Sequence, residues 1–156
     1  MLLPLAGCNG TKKDMTLADV IVMAAKIERV PSDKVSDLDL GVSGAEELLK
    51  MSYEKSKNDG ISYVVEYNKD SDLFVVHIYT ETAALVVDGM KTDKELHSKK
   101  WDKLLRAAAS LSQSAYGLVL ACGVDVPTLV IVQGAPSDNL VLCAAQNGKT
   151  IYDVTE

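Results

Sequence analysis

A long amphipathic stretch of this sequence reads SKKWDKLLRAAASLSQSAYGLVLAC, residues 98–122. Its apolar side chains recur every three or four positions, which is the spacing of one face of an α-helix. Gly123 follows directly and is suited to the left-handed conformation that ends many helices. The pattern predicts one long helix whose apolar face packs in the core. That face consists of Trp101, Leu104, Leu105, Ala108, Leu111, Ala115, Leu118 and Val119.

Three short apolar runs follow the long helix, at residues 126–132, 140–145 and 150–154. The polar sequence GAPSDN separates the first two runs, and Asn147-Gly148 separates the last two. Asn-Gly favours a type I′ turn, because both central residues of that turn need a positive φ, and such turns join antiparallel strands. The C-terminal part is therefore predicted to be a three-stranded antiparallel meander.

The region before the long helix also contains β-rich sequence. Residues 61–67 and 73–79 are two runs with β character, and the polar residues 68–72 between them are typical of a hairpin loop. Residues 81–90 then favour a short helix over an extended segment. We expect a β-hairpin followed by this short helix.

Two helices are predicted near the N-terminus. Residues 15–29 contain good helix formers and are followed by Pro31, which disfavours helix in the residue before it. A second helix is predicted to start at Ser43 and to reach about residue 58, because Ser43 and Glu46 have the spacing of a capping box. Gly60 is placed to close that helix in a left-handed conformation.

The order of these elements predicts an α+β fold. It has two N-terminal helices, a β-hairpin, a long amphipathic helix and a C-terminal three-stranded antiparallel meander, with the helices packed on one face of an antiparallel sheet. No internal repeat or linker interrupts residues 14–156, so we expect a single domain there. In element order alone, the chain is similar to profilin-like and roadblock-like modules.

The N-terminus carries a motif of a different kind. Leu5, Ala6, Gly7 and Cys8 match the four positions of a bacterial lipobox, in which an invariant cysteine follows a secretory signal. This resemblance implies cleavage before Cys8, a lipid on its sulfur, and a polar tether to the domain. A complete signal peptide has a basic start and an apolar stretch of about 7 to 15 residues, so residues 1–13 are expected to be a residual, truncated signal, the lipobox and the tether.

Several residues of the last third of the chain form a second recognisable set. Trp101 opens the long helix, Asn147-Gly148 forms a hairpin turn, and Ile151-Tyr152-Asp153 forms the closing strand. In these features the chain resembles small uncharacterised lipoproteins of anaerobic Gram-positive bacteria. The resemblance implies location and fold, and it implies no activity.

The composition excludes several classes of protein. With 47% apolar and 24% charged residues, the 156-residue chain has the makeup of one globular domain and not of a disordered segment. Its 16 Lys and Arg against 22 Asp and Glu give a net charge of −6, so no nucleic acid is expected as a partner. Contact with a membrane is expected only through the lipid on Cys8.

Few residues of the sequence point to chemistry. It contains neither a nucleophile-elbow motif nor a phosphate-binding glycine loop, and Cys122 and Cys143 lack the spacing of a zinc or redox site. We expect these two cysteines to be buried thiols, with a disulfide between them as the alternative. His97 lies in a charged connector and is expected at the surface. No catalytic residue, metal site or cofactor is predicted.

The best candidate for a binding surface lies on the predicted hairpin. Side chains of a strand alternate between the two faces of a sheet, so Tyr63 and Tyr67 share a face, as do His77 and Tyr79. If both pairs lie on the same face, these four residues form one binding patch. The alternative is that the tyrosines pack under the helices with their hydroxyls at the edge of the core.

These observations predict a lipid-anchored, extracytoplasmic binding or interaction domain, with an unknown protein or small molecule as its ligand. A cytoplasmic dimerising scaffold of roadblock-like or profilin-like type is one alternative. Another is an enzyme of an unrecognised type that uses His77 with a neighbouring Tyr or Glu66. A deep cleft that converges on His77 would favour the enzyme, whereas a filled core there would argue against it.

Overall fold

The computed structural model of this chain describes residues 14–56, 58 and 60–156. Both helices and strands are present, so the predicted α+β class is confirmed. The predicted lipobox with Cys8, and the tether that follows it, lie outside the described residues. The helices are α1 (Leu17–Ala25), α2 (Gly41–Leu49), α3 (Glu81–Thr92) and α4 (Lys94–Ala121), and the strands are β1 (Ile61–Asn68), β2 (Leu73–Thr80), β3 (Thr128–Gln133), β4 (Cys143–Gln146) and β5 (Lys149–Asp153).

The five strands form one sheet in the order β1-β2-β3-β4-β5. The first hairpin and the C-terminal meander pair antiparallel, as predicted. The two central strands, β2 and β3, pair parallel, so the sheet is mixed and the expectation of an antiparallel sheet was wrong. The cause is the connection between these strands. α3 and α4 carry the chain back to the end of the sheet at which β2 begins, so β3 runs in the same direction as β2.

Helices cover both faces of this sheet, and the prediction of helices on one face was also wrong. On one face, α2, α3 and α4 pack over Phe74, Val76 and Val130. On the other face, α1 packs over Val75 and Leu129. The unbroken apolar runs of β2 and β3 are explained by this arrangement, since strands that are buried on both faces do not alternate between apolar and polar residues.

The long helix α4 begins four residues earlier than predicted. The Asp93 carboxylate accepts a hydrogen bond from the Leu96 N–H at 3.0 Å and so caps the first turn. At the other end, Gly123 has a φ of +82° and ends the helix as expected. The fully buried stripe of the helix is Trp101, Ala108, Ser112, Ala115, Val119 and Leu120, whereas Leu105 and Leu111 are only half-buried.

The Trp101 side chain ties the start of α4 to the end of the sheet. Its indole N–H donates to Asp153 Oδ1 at 2.9 Å, and both residues are buried. The same carboxylate oxygen accepts from the backbone N–H and the hydroxyl of Thr155. Two residues that carry the lipoprotein resemblance in the sequence are therefore in direct contact in the fold.

The N-terminal helices differ from prediction in their caps. α2 begins at Gly41, and Ser43 is not its cap. The capping box of this chain lies instead at Thr16 and Asp19, at the start of α1, which is also shorter than predicted. Gly60 does take the left-handed conformation, with a φ of +79°, although the helical segment before it already ends at Glu54 after a π-helical turn (Lys50–Glu54).

Glu46 has a role in the sheet that explains the missing capping box. Its carboxylate accepts a hydrogen bond from the Tyr67 N–H at 2.9 Å, and Glu54 accepts one from the Val65 N–H at 2.6 Å. Both N–H groups belong to β1, which lies at the edge of the sheet. The two carboxylates thus occupy backbone donors that would otherwise be open to another strand.

Cys122 and Cys143 are buried free thiols, as expected. Among the described residues, no helix combines the length and the apolar character that a membrane span requires.

Candidate binding cavity and the His77 cluster

The four residues of the predicted patch do not share a face of the sheet. In the hairpin, Tyr63 lies opposite Ile78, and Val64 lies opposite His77. Tyr63 and Tyr67 therefore point towards α2 and its π-helical extension, whereas His77 and Tyr79 point to the other side. The cause is the turn, which pairs Asn68 with Leu73, so that odd-numbered residues of β1 lie opposite even-numbered residues of β2.

The Tyr67 side chain packs against Phe74 and forms a hydrogen bond with Asp72. Its ring centroid lies 5.2 Å from that of Phe74, and its hydroxyl donates to Asp72 Oδ1 at 2.5 Å. The Arg29 guanidinium pairs with the other oxygen of Asp72 at 2.7 Å. The hydrogen bond to Asp72 raises the pKa of Tyr67, and the same hydrogen bond lowers the pKa of Asp72, with help from Arg29. Tyr63 packs near Tyr53, with 6.2 Å between ring centroids.

His77 and Tyr79 form a second group, together with Glu66. The His77 and Tyr79 rings are nearly parallel, with centroids 6.1 Å apart. His77 Nε2 lies 3.6 Å from Glu66 Oε2, which is too long for a direct hydrogen bond, and the two groups form an ion pair only when His77 is protonated. Burial lowers the pKa of His77, and the nearby Glu66 carboxylate opposes that shift. The imidazole is therefore neutral near pH 7.

The surroundings of His77 argue against a catalytic role. Only 4% of this residue is exposed, and it lies on the sheet face between Val75 and Tyr79. Its Nδ1 atom is buried and has no hydrogen-bond partner among the described residues. His77 lines neither of two cavities of this molecule, one of about 580 Å³ and one of about 480 Å³. A general base must come within hydrogen-bonding distance of its substrate, and only 4% of His77 is open to one.

A cavity of about 580 Å³ lies elsewhere, beyond the carboxyl ends of the parallel strands β2 and β3. Ligands commonly bind at this position in sheets with parallel strands, because the loops that follow such strands diverge there. The walls of this cavity come from α3, from the loop between β3 and β4, and from Asp14, Lys94 and residues 154–155. Apolar side chains line most of it: Ala84, Val87, Met90, Leu140, Val141, Leu142 and Val154.

The loop between β3 and β4 is held firmly against its neighbours. Gln133, which is 2% exposed, donates from Nε2 to the Asp138 carbonyl oxygen at 2.7 Å. Leu140 forms an isolated β-bridge with Thr16. Gly134 lies so close to α3 that a Cβ at this position would be 3.1 Å from the Ala84 Cβ. These contacts give the cavity a preformed wall.

Five charged side chains lie at the cavity. Asp88 and Lys91, on consecutive turns of α3, form an exposed ion pair at 3.2 Å. Asp14, Asp138 and Lys94 are the remaining charged groups. Two carboxylates against one ammonium leave an excess of negative charge, which attracts a cationic group on a ligand.

Sequence reasoning missed this cavity. Its residues come from five separate segments, and the sequence GAPSDN was interpreted only as a connector between strands. Residues 138–142 do carry one signal in retrospect, since a polar turn that runs directly into Leu-Val-Leu brings charged and apolar side chains together.

No group of three or more His, Cys, Asp or Glu that could hold a metal ion is found in the part of the chain that the structure describes. No family model, curated protein or solved structure matches this chain.

Proposed function

We propose that this protein is a binding domain whose ligand site is the cavity beyond β2 and β3. The observation that carries the proposal is the cavity itself, with its volume of about 580 Å³, apolar lining and charged rim. Pockets for small molecules are mostly apolar, have volumes of about 300 to 1,000 Å³, and contain a few polar groups that orient the ligand. The cavity has each of these properties.

The lining indicates the class of ligand. An apolar body would lie against Val87, Leu140 and Val154, where it is removed from water. A cationic group would lie near Asp14 and Asp138, because these two carboxylates outnumber the one remaining ammonium group of the lining, Lys94. The ligand is therefore a small amphipathic cation.

Two matched probes test this proposal. Decylamine and decanoate have apolar chains of similar length and opposite charge, and both are titrated by calorimetry below their micelle-forming concentrations. We expect decylamine to bind at least about tenfold more tightly, a difference of about 1.4 kcal/mol. Equal affinities, or tighter binding of decanoate, would contradict the charge argument.

Matched variants locate the site. Leu140→Trp fills the cavity and should weaken decylamine binding at least about tenfold. Leu85→Trp is the control, because Leu85 is 61% exposed on α3 and does not line the cavity. Asp138→Asn should weaken decylamine more than Asp70→Asn, which lies in the β1–β2 turn. If Leu140→Trp binds as wild type does, the cavity is not the site.

The proposed location of this domain is outside the cytoplasm, anchored by a lipid on Cys8. The support for this is the lipobox sequence that ends at Cys8. Expression of the full-length gene, with a complete signal sequence ahead of Cys8, in a bacterial host with labelled palmitate should give a labelled, membrane-associated product, and Cys8→Ala should abolish both properties. Cys122→Ala is the control and should keep the label, because Cys122 is buried. An unlabelled, soluble wild-type product would refute the anchor.

A further inference from the structure

The first half of α4 carries a concentration of positive charge. Residues 94–106 contain five of the 16 Lys and Arg residues of the chain and only two of its 22 Asp and Glu residues. The net charge of −6 therefore conceals a local excess of positive charge on this helix. A partner responds to the field of the surface that it meets, and not to the average over the whole chain.

Four of these cations lie on the outward face of the helix. Lys99, Lys103 and Arg106 are separated by four and three positions, so their side chains follow one another along one face. Lys100 flanks this row, and Leu96, which is 62% exposed, lies at its start. All four cations are exposed, and at 3.6 residues per turn they lie opposite the buried stripe of α4. These five residues form the basic face of α4.

The stability of the helix does not explain this arrangement. Lys99 and Lys103 lie at i and i+4, and Arg106 follows Lys103 at i+3, and like charges at these spacings destabilise a helix. Glu95 and Asp102 lie four residues before Lys99 and Arg106, respectively. Even so, none of the cations of the basic face forms an ion pair with a described residue. An anionic partner would remove the repulsion between them.

The start of α4 lies next to the point where the proposed lipid tether enters the domain. Asp14, which follows the tether, and Lys94, the first residue of α4, line the same cavity beyond β2 and β3. Lys99 is five residues further along the helix, or about 7.5 Å. The six peptide units from Cys8 to Asp14 span at most about 22 Å. A lipid on Cys8 would therefore keep the basic face within reach of the bilayer surface.

We propose that the basic face of α4 is a contact surface for a bilayer with anionic headgroups. The ammonium and guanidinium groups pair with headgroup phosphates, and Leu96 packs at the boundary between the headgroups and the acyl chains. The choice of a bilayer among anionic partners rests on the proposed lipid anchor, which brings this face to a membrane. The contact orients the domain, with α4 next to the bilayer and the sheet behind it.

Vesicle binding tests the proposal without the lipid. The full chain with Cys8→Ala is mixed with sucrose-loaded vesicles of phosphatidylcholine, either pure or with an equal part of phosphatidylglycerol, and the bound fraction is measured by sedimentation. At about 0.1 M salt we expect at least about tenfold stronger binding to the anionic vesicles, because each basic residue close to such a surface strengthens binding about fivefold. The difference should disappear at about 1 M salt, where the Debye length is only about 3 Å.

Matched charge reversals locate the contact. Lys99→Glu combined with Lys103→Glu reverses the centre of the basic face and should weaken binding to anionic vesicles at least about tenfold. Lys34→Glu combined with Lys69→Glu makes the same change in net charge at two exposed lysines outside α4. This control should weaken binding less than about threefold, because charges beyond the Debye length of about 10 Å are screened. Urea unfolding checks that both double variants keep the fold.

Several results would overturn the proposal. These are no binding to the anionic vesicles, equal binding to both kinds of vesicle, or an equal loss in the two double variants. If a double-stranded DNA fragment binds and the vesicles do not, the partner of this face is a nucleic acid instead. The comparison of the two kinds of vesicle gives an answer even if a variant does not fold. It is also independent of decylamine binding and of lipid on Cys8, so this inference and the proposed function can fail separately.

Discussion

The contact between Gly89 and His97 controls how closely α3 approaches α4. A Cβ at Gly89 would lie 2.6 to 2.8 Å from Nε2, Cδ2 and Cε1 of the His97 ring. Alanine is favoured over glycine in helices by about 1 kcal/mol, but this overlap forces the imidazole or the helix to move. We expect Gly89→Ala to lower the free energy of unfolding by about 1 to 2 kcal/mol, measured by urea denaturation.

Gly117 provides the matched control for this substitution. It lies within α4, and apart from its chain neighbours and the nearby backbone of the helix itself, no atom lies within 4 Å of its Cβ position. Gly117→Ala should therefore raise the free energy of unfolding by about 0.5 to 1 kcal/mol. Adding His97→Ala to Gly89→Ala should recover most of the loss. If the two glycine substitutions change stability in the same direction, the His97 contact is not the cause.

The predicted tyrosine patch shows where single-residue reasoning stops. The alternation along each strand was predicted correctly: Tyr63 and Tyr67 share one face of the sheet, and His77 and Tyr79 share the other. Whether the two pairs lie on the same face depends on the register between the strands. A shift of one residue in that register moves every side chain of one strand to the opposite face relative to its partner strand. The turn at residues 68–72 sets that register, and its polar sequence permits more than one pairing.

The buried stripe of α4 consists largely of small side chains, which let the helix lie close to the sheet. Ala115 is 0% exposed within this stripe, and Ala107 is an exposed alanine on the same helix. Ala115→Leu adds volume to a filled core and should cost about 1 to 3 kcal/mol of stability. Ala107→Leu should change it by less than about 0.5 kcal/mol, since leucine and alanine are both good helix formers. Chemical denaturation of the two variants gives the comparison, and similar costs would show that the buried face is assigned wrongly.

Elements with a strong periodic pattern were predicted well. The long helix, both hairpins, the Asn147-Gly148 turn and Gly123 are all confirmed, because local spacing and positive φ values decide them. The predicted Ser43–Glu46 capping box does not form, because the Glu46 carboxylate accepts a hydrogen bond from a distant strand instead. Glu46 binds the Tyr67 N–H of the edge strand, and no local pattern reports that partner.

At the scale of the whole molecule, layer order and cavities depend on contacts between distant segments. A single helical layer was predicted from the sequence because all five strands were expected to form one antiparallel sheet. The parallel pairing of β2 and β3 follows from the crossover through α3 and α4, and it leaves a second face for α1. The cavity beyond β2 and β3 forms where these layers end, so it has no continuous sequence signal.

Alkaline pH should limit the stability of the whole molecule. Burial, with the nearby Asp153 carboxylate, raises the pKa of Cys143 from 9.0 to about 12. Burial, with the hydrogen bond to Asp125, raises the pKa of Tyr116 from 10.0 to about 12. Above about pH 9 the unfolded chain therefore loses protons that the folded chain retains, so the free energy of unfolding falls as the pH rises towards 12. Below pH 8 both groups are protonated in both states and contribute no slope.

The measurement is urea unfolding, followed by circular dichroism between pH 7 and 11.5. We expect a level free energy of unfolding up to about pH 8.5 and a progressive decline above it. Cys143→Ala should reduce the decline from about pH 9 onward, and Tyr116→Phe should reduce it only above about pH 10, because the two groups ionise in that order in the unfolded chain. The double variant should show the smallest slope. A double variant whose curve runs parallel to that of wild type would mean that the ionisation of Cys143 and Tyr116 does not set the alkaline limit of the fold.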